Sequence, residues 1–297
     1  MAEKDLLSLG TWTSRDYKLR LNGGDIFSAD RVSFDGSRFS WLIPNRLAFD
    51  IEGAALEVEQ VAEFALAFIP TDAEADPESA EAVENIQTAV SKLDEYGLET
   101  VPFDFSLSGD WNDGSGKSGF RMAAASTGFG TEDWSLDVTL PDYAAIQAAM
   151  NAEDKEAAYE EAFQDAFELG GASYAQSDDG GYDKVFGYAI EIGKLYPQEG
   201  WGAMLGAMTP ERMRQYIATA VRSGKSAAEQ ELPVAADWLE SLATYFETSG
   251  GRFEIVVAPK VTIDKAYFDA VDESMGDEPD PAKIVDDLGI TVTYSPE

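Results

Sequence analysis

Apolar and polar residues alternate along much of residues 17–58, and a period of two confines such a stretch to strands with one buried face and one wet face. Tyr17-Lys18-Leu19-Arg20-Leu21 alternates as far as Asn22-Gly23-Gly24, which reads as a turn. Ile26 to Phe34 is the next strand, with Asp35-Gly36 expected to turn it. Arg38 to Ile43 follows, then Pro44-Asn45 as a turn, then Leu47 to Ile51 and Ala55 to Val58. One-sided strands joined by short turns belong to antiparallel sheets.

Beyond an acidic stretch at residues 71–77 the period changes. A helix is predicted from Pro77 to Tyr96, with Val83, Ile86, Val90 and Leu93 at helical spacing and Gly97 as its stop. Phe103 to Gly109, Gly119 to Ala125 and Trp134 to Leu140 read as strands, the first two joined by Asn112-Asp113-Gly114-Ser115-Gly116. One helix is expected from Asp142 to Leu169, ended by Gly170-Gly171, and a hairpin from Tyr174 to Ile192 around residues 177–181. Thr209-Pro210 opens a helix to Val221, and Pro233 opens another that ends at Gly250-Gly251. Strands Phe253 to Val257 and Ile290 to Tyr294 enclose helices at residues 263–271 and 281–288. Strands that come in runs argue for α+β. The predicted fold is an antiparallel, curved β-meander packed with amphipathic helices, one domain over residues 1–297, with any division into two lobes near residue 150. A strand-proline-helix phrase occurs twice, at Trp134–Met150 and Phe253–Met275.

Composition removes several chemistries. The chain has no histidine and no cysteine, so Ser-His-Asp and Cys-His catalysis, disulfides and Cys/His zinc sites are excluded. Its net charge is −35 at pH 7, which opposes nucleic acid and anionic membrane surfaces. The excess falls outside the first fifty residues. There Lys4, Arg15, Lys18, Arg20, Arg31, Arg38 and Arg46 balance the acids. Neither a membrane-spanning stretch nor a signal peptide is visible, and the acidity favours an exported protein.

Phosphate-loop endings at Gly116-Lys117-Ser118 and Gly224-Lys225-Ser226 lack the upstream glycine; Trp111 and Thr219 stand there. Asp110-Trp111-Asn112-Asp113-Gly114 fails EF-hand spacing, because Ser115 and Arg121 fill the sixth and twelfth places; a hairpin turn is the expected reading. Acid pairs could hydrolyse polysaccharide, but Asp50, Asp104 and Asp137 fall on the solvent-facing phase of their strands. No cofactor site is read. Trp41 and Phe49 on the aromatic strands, with Trp201, Met204 and Met208 in an adaptable apolar patch, are candidates to line a groove for an acyl chain. Arg212, Arg214 and Arg222 form the densest basic stretch and are candidates for partner contact.

Phe39-Ser40-Trp41-Leu42-Ile43-Pro44-Asn45-Arg46-Leu47-Ala48-Phe49-Asp50-Ile51 resembles the N-terminal strands of AsmA-like and related periplasmic envelope proteins of Gram-negative bacteria. The resemblance covers about residues 15–60; the usual membrane anchor is lacking and helix is richer. It implies a periplasmic, non-enzymatic protein that handles lipids or envelope assembly, and it transfers no site residues. The expected function is therefore binding of a hydrophobic, lipid-like ligand, or a role in envelope assembly. The alternatives are a protein-interaction module docking through the Arg-bearing N-terminal sheet, and a carboxylate-based polysaccharide hydrolase.

Overall fold

The computed structural model describes residues 9–40, 43–66, 77–274 and 280–296. Ten strands form one antiparallel, open, curved sheet: β1 (Gly10–Leu21), β2 (Gly24–Ser40), β3 (Ile43–Glu57), β4 (Thr100–Trp111), β5 (Lys117–Ser126), β6 (Gly130–Thr139), β7 (Glu168–Asp178), β8 (Arg252–Val257), β9 (Ile263–Asp264) and β10 (Ile290–Ser295). The α+β class and the meander expected from the alternation are therefore present. Spatial order follows chain order from β1 to β8, with β10 beyond β8, and β9 pairing with β7.

The strands are longer than their alternation suggested. β2 runs straight through Asp35-Gly36, where the chain shifts register against β3 instead of turning. Pro44-Asn45 lies inside β3, not in a turn, and Phe39 pairs with Pro44. Val58, the last residue of the expected strand Ala55 to Val58, instead opens a helix, α1 (Val58–Leu66).

α2 (Pro77–Val90) stops earlier than predicted and leads into a 3-10 turn at Asp94–Tyr96, closed by Gly97 at φ 61°. The single helix expected over 142–169 is two, α3 (Tyr143–Met150) and α4 (Lys155–Ala166). Asp142 and Asp154 cap them by accepting from the Ala145 and Ala157 amides. Gly170-Gly171 lies within β7, not at a helix end.

The expected hairpin at 174–192 is a strand followed by a helix, α5 (Gly181–Leu195). Tyr182, Phe186 and Ile190 are spaced four apart, a helical period that overrides the turn signals before it. Then come α6 (Gly200–Gly206), α7 (Pro210–Ser223), α8 (Lys225–Glu231) and α9 (Pro233–Glu247). Thr209 accepts from the Arg212 amide, the cap its sequence promised. α10 (Lys265–Ser274) and α11 (Pro281–Leu288) precede the last strand. The two strand-proline-helix phrases differ: β6 leads to α3 directly, whereas β9 intervenes between β8 and α10.

One distortion runs across three strands. Asp16, Asp30 and Gly53 stand side by side and are missing from the ladders. Asp16 has φ 51° and Gly53 φ 59°, and β3 shifts register by one residue against β4 at this level. The phase of alternation therefore advances by one. Ala29, Val32 and Ala54 all reach the same buried cluster, with Phe27, Phe49, Ile51 and Phe103 against it. The Gly53 amide donates to Asp104 Oδ1 at 2.7 Å, and a Cβ on Gly53 would run into the Asp30 carboxylate.

Gly53→Ala should cost more than Gly250→Ala, which has φ 83° with open space around it. The left-handed conformation alone predicts about 1–2 kcal/mol for Gly250→Ala, and Gly53→Ala adds the Asp30 clash. Urea denaturation of both variants measures the difference.

Candidate functional site

Residues opposite each other in an antiparallel sheet share a face. The registers therefore trace rows across the molecule. One row reads Trp12, Phe34, Phe49, Leu107, Met122, Trp134, Tyr174, Ile255 and Val292. The adjacent row on the same face carries Leu47, Gly109, Phe120, Leu136, Ala172 and Val257. The opposite face is polar, with Arg31–Glu52, Arg121–Asp137 and Arg252–Asp133 ion pairs. Asp50, Asp104 and Asp137 lie on this polar face, the phase expected from the sequence.

Helices cover the apolar face at two ends. At one end Tyr245 of α9 packs on Phe253 and Tyr294. At the other, Ile146 of α3 and Phe163 of α4 close over Trp111, Phe120 and Leu140. Trp111 is buried there, its indole N–H donating to the Pro141 carbonyl at 3.1 Å. A pocket of about 300 Å³ remains beneath α3 and α4, walled almost wholly by apolar atoms. Between the two ends the face is open: Leu107 is 46% exposed, Phe120 43% and Trp134 46%. Large neighbouring apolar side chains left in water on one surface make this face a candidate binding face. Gly109 belongs to that floor, and the Phe120 ring lies against the place its side chain would take.

The second row beyond Trp134 changes character. Phe105, Ala124, Glu132, Gln176 and Phe253 are cross-strand neighbours, so Glu132 and Gln176 stand on the apolar face. The Trp134 indole donates to Glu132 Oε1 at 2.9 Å. The Tyr174 and Tyr182 hydroxyls both donate to Gln176 Oε1, at 3.1 and 3.4 Å. Burial, and then the Glu132 charge, push the Tyr174 phenol up to about 12. Tyr245 nearby is fully buried with a hydroxyl that finds no hydrogen-bond partner among the described residues, and burial drives its pKa far upward.

A buried ion pair anchors the helices at this end. Arg214 of α7 is 3% exposed and Asp178 of β7 1%. Arg214 Nη2 donates to Asp178 Oδ2 and Nε to Asp183 Oδ1, both at 2.6 Å, while Nη1 donates to the Thr248 carbonyl at 3.1 Å. Asp178 Oδ1 accepts from the Gly180 and Tyr182 amides, tying the start of α5 to the strand. Burial by itself would lower the Arg214 pKa, yet Asp183 and Asp178 raise it above the ordinary arginine value.

The sequence candidates fall in different places. Phe49 lies on the apolar face, half-buried, with its ring 6.4 Å from Phe105. Trp41 lies outside the described residues. Trp201 and Met204 are exposed on α6, and Met208 follows it. That helix packs against α5, and the Trp201 ring is 5.5 Å from Tyr196, so this patch is separate from the pocket under α3 and α4. Arg214 is no surface contact: its charge is consumed in the core. Arg222 pairs with Glu240 and Glu247 of α9, which leaves Arg212 as the exposed member of the three. Asn112 Oδ1 accepts from the Gly114 and Ser115 amides, as the turn reading requires. Glu132 and Gln176 were missed, although Glu132 shares the phase of Trp134, Leu136 and Val138.

No family model and no curated protein matches this chain. Among the described residues no helix is long and apolar enough to cross a membrane, and no group of three or more acidic side chains is placed to hold a metal ion.

Two outcomes test this geometry. Arg214→Met, which strands Asp178 in the core, should lose about 3–5 kcal/mol in urea denaturation, while Arg212→Ala should lose almost nothing. Tyr174 has a folded pKa above its ordinary 10, so its contribution is complete below pH 10 and disappears as pH rises toward 12. Melting temperature should fall over that window, and fall less steeply in Tyr174→Phe.

Proposed function

We propose that this protein is a non-enzymatic binding protein for a lipid-like ligand, whose hydrocarbon chain lies along the open apolar face and enters the pocket under α3 and α4. The observation that carries the reading is the sorting of the sheet. Leu107, Phe120, Trp134 and Leu136 are exposed together on one face, while the Arg31–Glu52, Arg121–Asp137 and Arg252–Asp133 pairs occupy the other. A pocket at the small end of the range for ligand sites, lined by Leu47, Trp111, Phe120 and Ile146, suits a single chain.

The competing readings have less support. A carboxylate-based hydrolase would draw on Asp50, Asp104 or Asp137. These lie on the polar face, where Asp104 holds the Gly53 amide and Asp137 pairs with Arg121. Docking through the N-terminal cations meets the fact that Lys18 and Arg20 both pair with Asp25, and Arg31 with Glu52. An exported, envelope-facing setting belongs to the same proposal, on the strength of the AsmA-like resemblance and the acidic surface.

A fluorescent probe with a twelve-carbon chain tests the reading by titration. Leu107→Asp and Phe120→Asp, both at exposed positions, should weaken binding by about tenfold or more, the cost of about 1.4 kcal/mol. Trp201→Ser, on the separate α6 patch, should leave it unchanged. Equal affinity across wild type and both sheet variants would sink the proposal.

A further inference from the structure

We infer that the polar island of Glu132, Trp134, Tyr174 and Gln176 is a head-group site selective for an ammonium group, so that the ligand is a single-chain amphiphile with a cationic head. This inference rests on the apolar-face reading above and adds the chemistry of the other end of the ligand.

The island is out of place in its surroundings. Glu132 and Gln176 follow the phase that elsewhere carries Phe105, Phe253, Met122 and Leu107. Glu132 is half-buried on this face and keeps its carboxylate within reach of solvent. No cation pairs with Glu132 among the described residues. Its Oε1 accepts from the Trp134 indole, and Oε2 has no partner among them. The Trp134 and Tyr174 rings stand beside it, 4.4 Å between centroids. A carboxylate beside aromatic rings is the environment an ammonium group recognises, by charge and by the negative ring faces. The Tyr174 and Tyr182 hydroxyls are spent on Gln176 Oε1, which leaves the Glu132 carboxylate and the exposed Trp134 side chain for the ligand. An anionic head would meet Glu132 and a chain of net charge −35.

Spacing agrees with one short chain. Ala124, opposite Glu132 on β5, is four residues from Phe120 at the mouth of the pocket. At about 3.3 Å per residue that is about 13 Å along the strand. Met122, Leu107, Trp134 and Leu136 pave the distance between them.

The test is isothermal titration of wild type, Glu132→Gln, the exposed-surface control Glu229→Gln, and Phe120→Asp. The probes are dodecyltrimethylammonium and dodecanoate, both below micelle formation. About 0.5 M salt screens the general field of the protein. Wild type and Glu229→Gln should prefer the ammonium probe by about tenfold or more, and Glu132→Gln should bring the two probes within about twofold. An ammonium preference that survives in Glu132→Gln overturns the inference. Equal binding of both probes to wild type, weakened in Phe120→Asp, overturns the head-group site and leaves the chain-binding reading intact. Failure of both probes to bind wild type overturns both readings.

Discussion

The pairing register of the meander is the constraint on which the rest of the molecule depends. Each strand has two faces, and a slip of one residue would carry Phe49, Leu107 or Phe120 to the side now held by Asp50, Ser108 and Arg121. The register changes where it must, at the row of Asp16, Asp30 and Gly53. There an extra residue in β3 keeps Ala54 and Phe103 on the side of Ile51 and Phe105. Asp104 secures that place by accepting the Gly53 amide. A carboxylate that the sequence presents as one more surface acid therefore helps hold the apolar face together.

The helices decide how much of that face is closed. α9 seals the β8–β10 end, with Tyr245, Phe253 and Tyr294 in contact, and the helical segment is tied to β7 through Arg214 and Asp178. Two charges in a core are costly to desolvate, and they persist because each is satisfied several times over. Arg214 reaches Asp178, Asp183 and the Thr248 carbonyl, and Asp178 also holds the Gly180 and Tyr182 amides at the start of α5. At the other end α3 and α4 stand off the sheet far enough to leave a pocket. The middle, around Leu107 and Trp134, stays open to solvent. A sheet sealed at one end, hollow at the other and open between them is the geometry on which the lipid-binding proposal rests.

Much of the fold was legible in the residues because its signals are local. The alternation of Tyr17 to Leu21, the cap at Thr209, the stop at Gly97 and the strands at 253 and 290 each act within a few positions. The errors came where local signals competed. Asp35-Gly36 has turn chemistry but lies in a long strand, because pairing with β3 continues on both sides of it. Ser177 to Gly181 reads as a hairpin turn, yet Asp178 spends its carboxylate on the Gly180 and Tyr182 amides and so starts a helix. Of the site, Phe49 was visible as an aromatic on a one-sided strand. Glu132 was visible in principle from its phase with Trp134, but the strand was read as starting only at Trp134.

The residues by themselves determined the class of the molecule: antiparallel strands in runs, amphipathic helices, and a chemistry without histidine or cysteine. These follow from composition and from periods of two and 3.6, which need no long-range information. Only the tertiary structure decided what the charges and aromatics do. It buried Arg214 against an aspartate 36 residues away, set Trp201 apart from the sheet, and brought Glu132, Trp134, Tyr174 and Gln176 together. Those outcomes depend on which strand lies beside which and in what register, and that is settled by the packing of the whole chain.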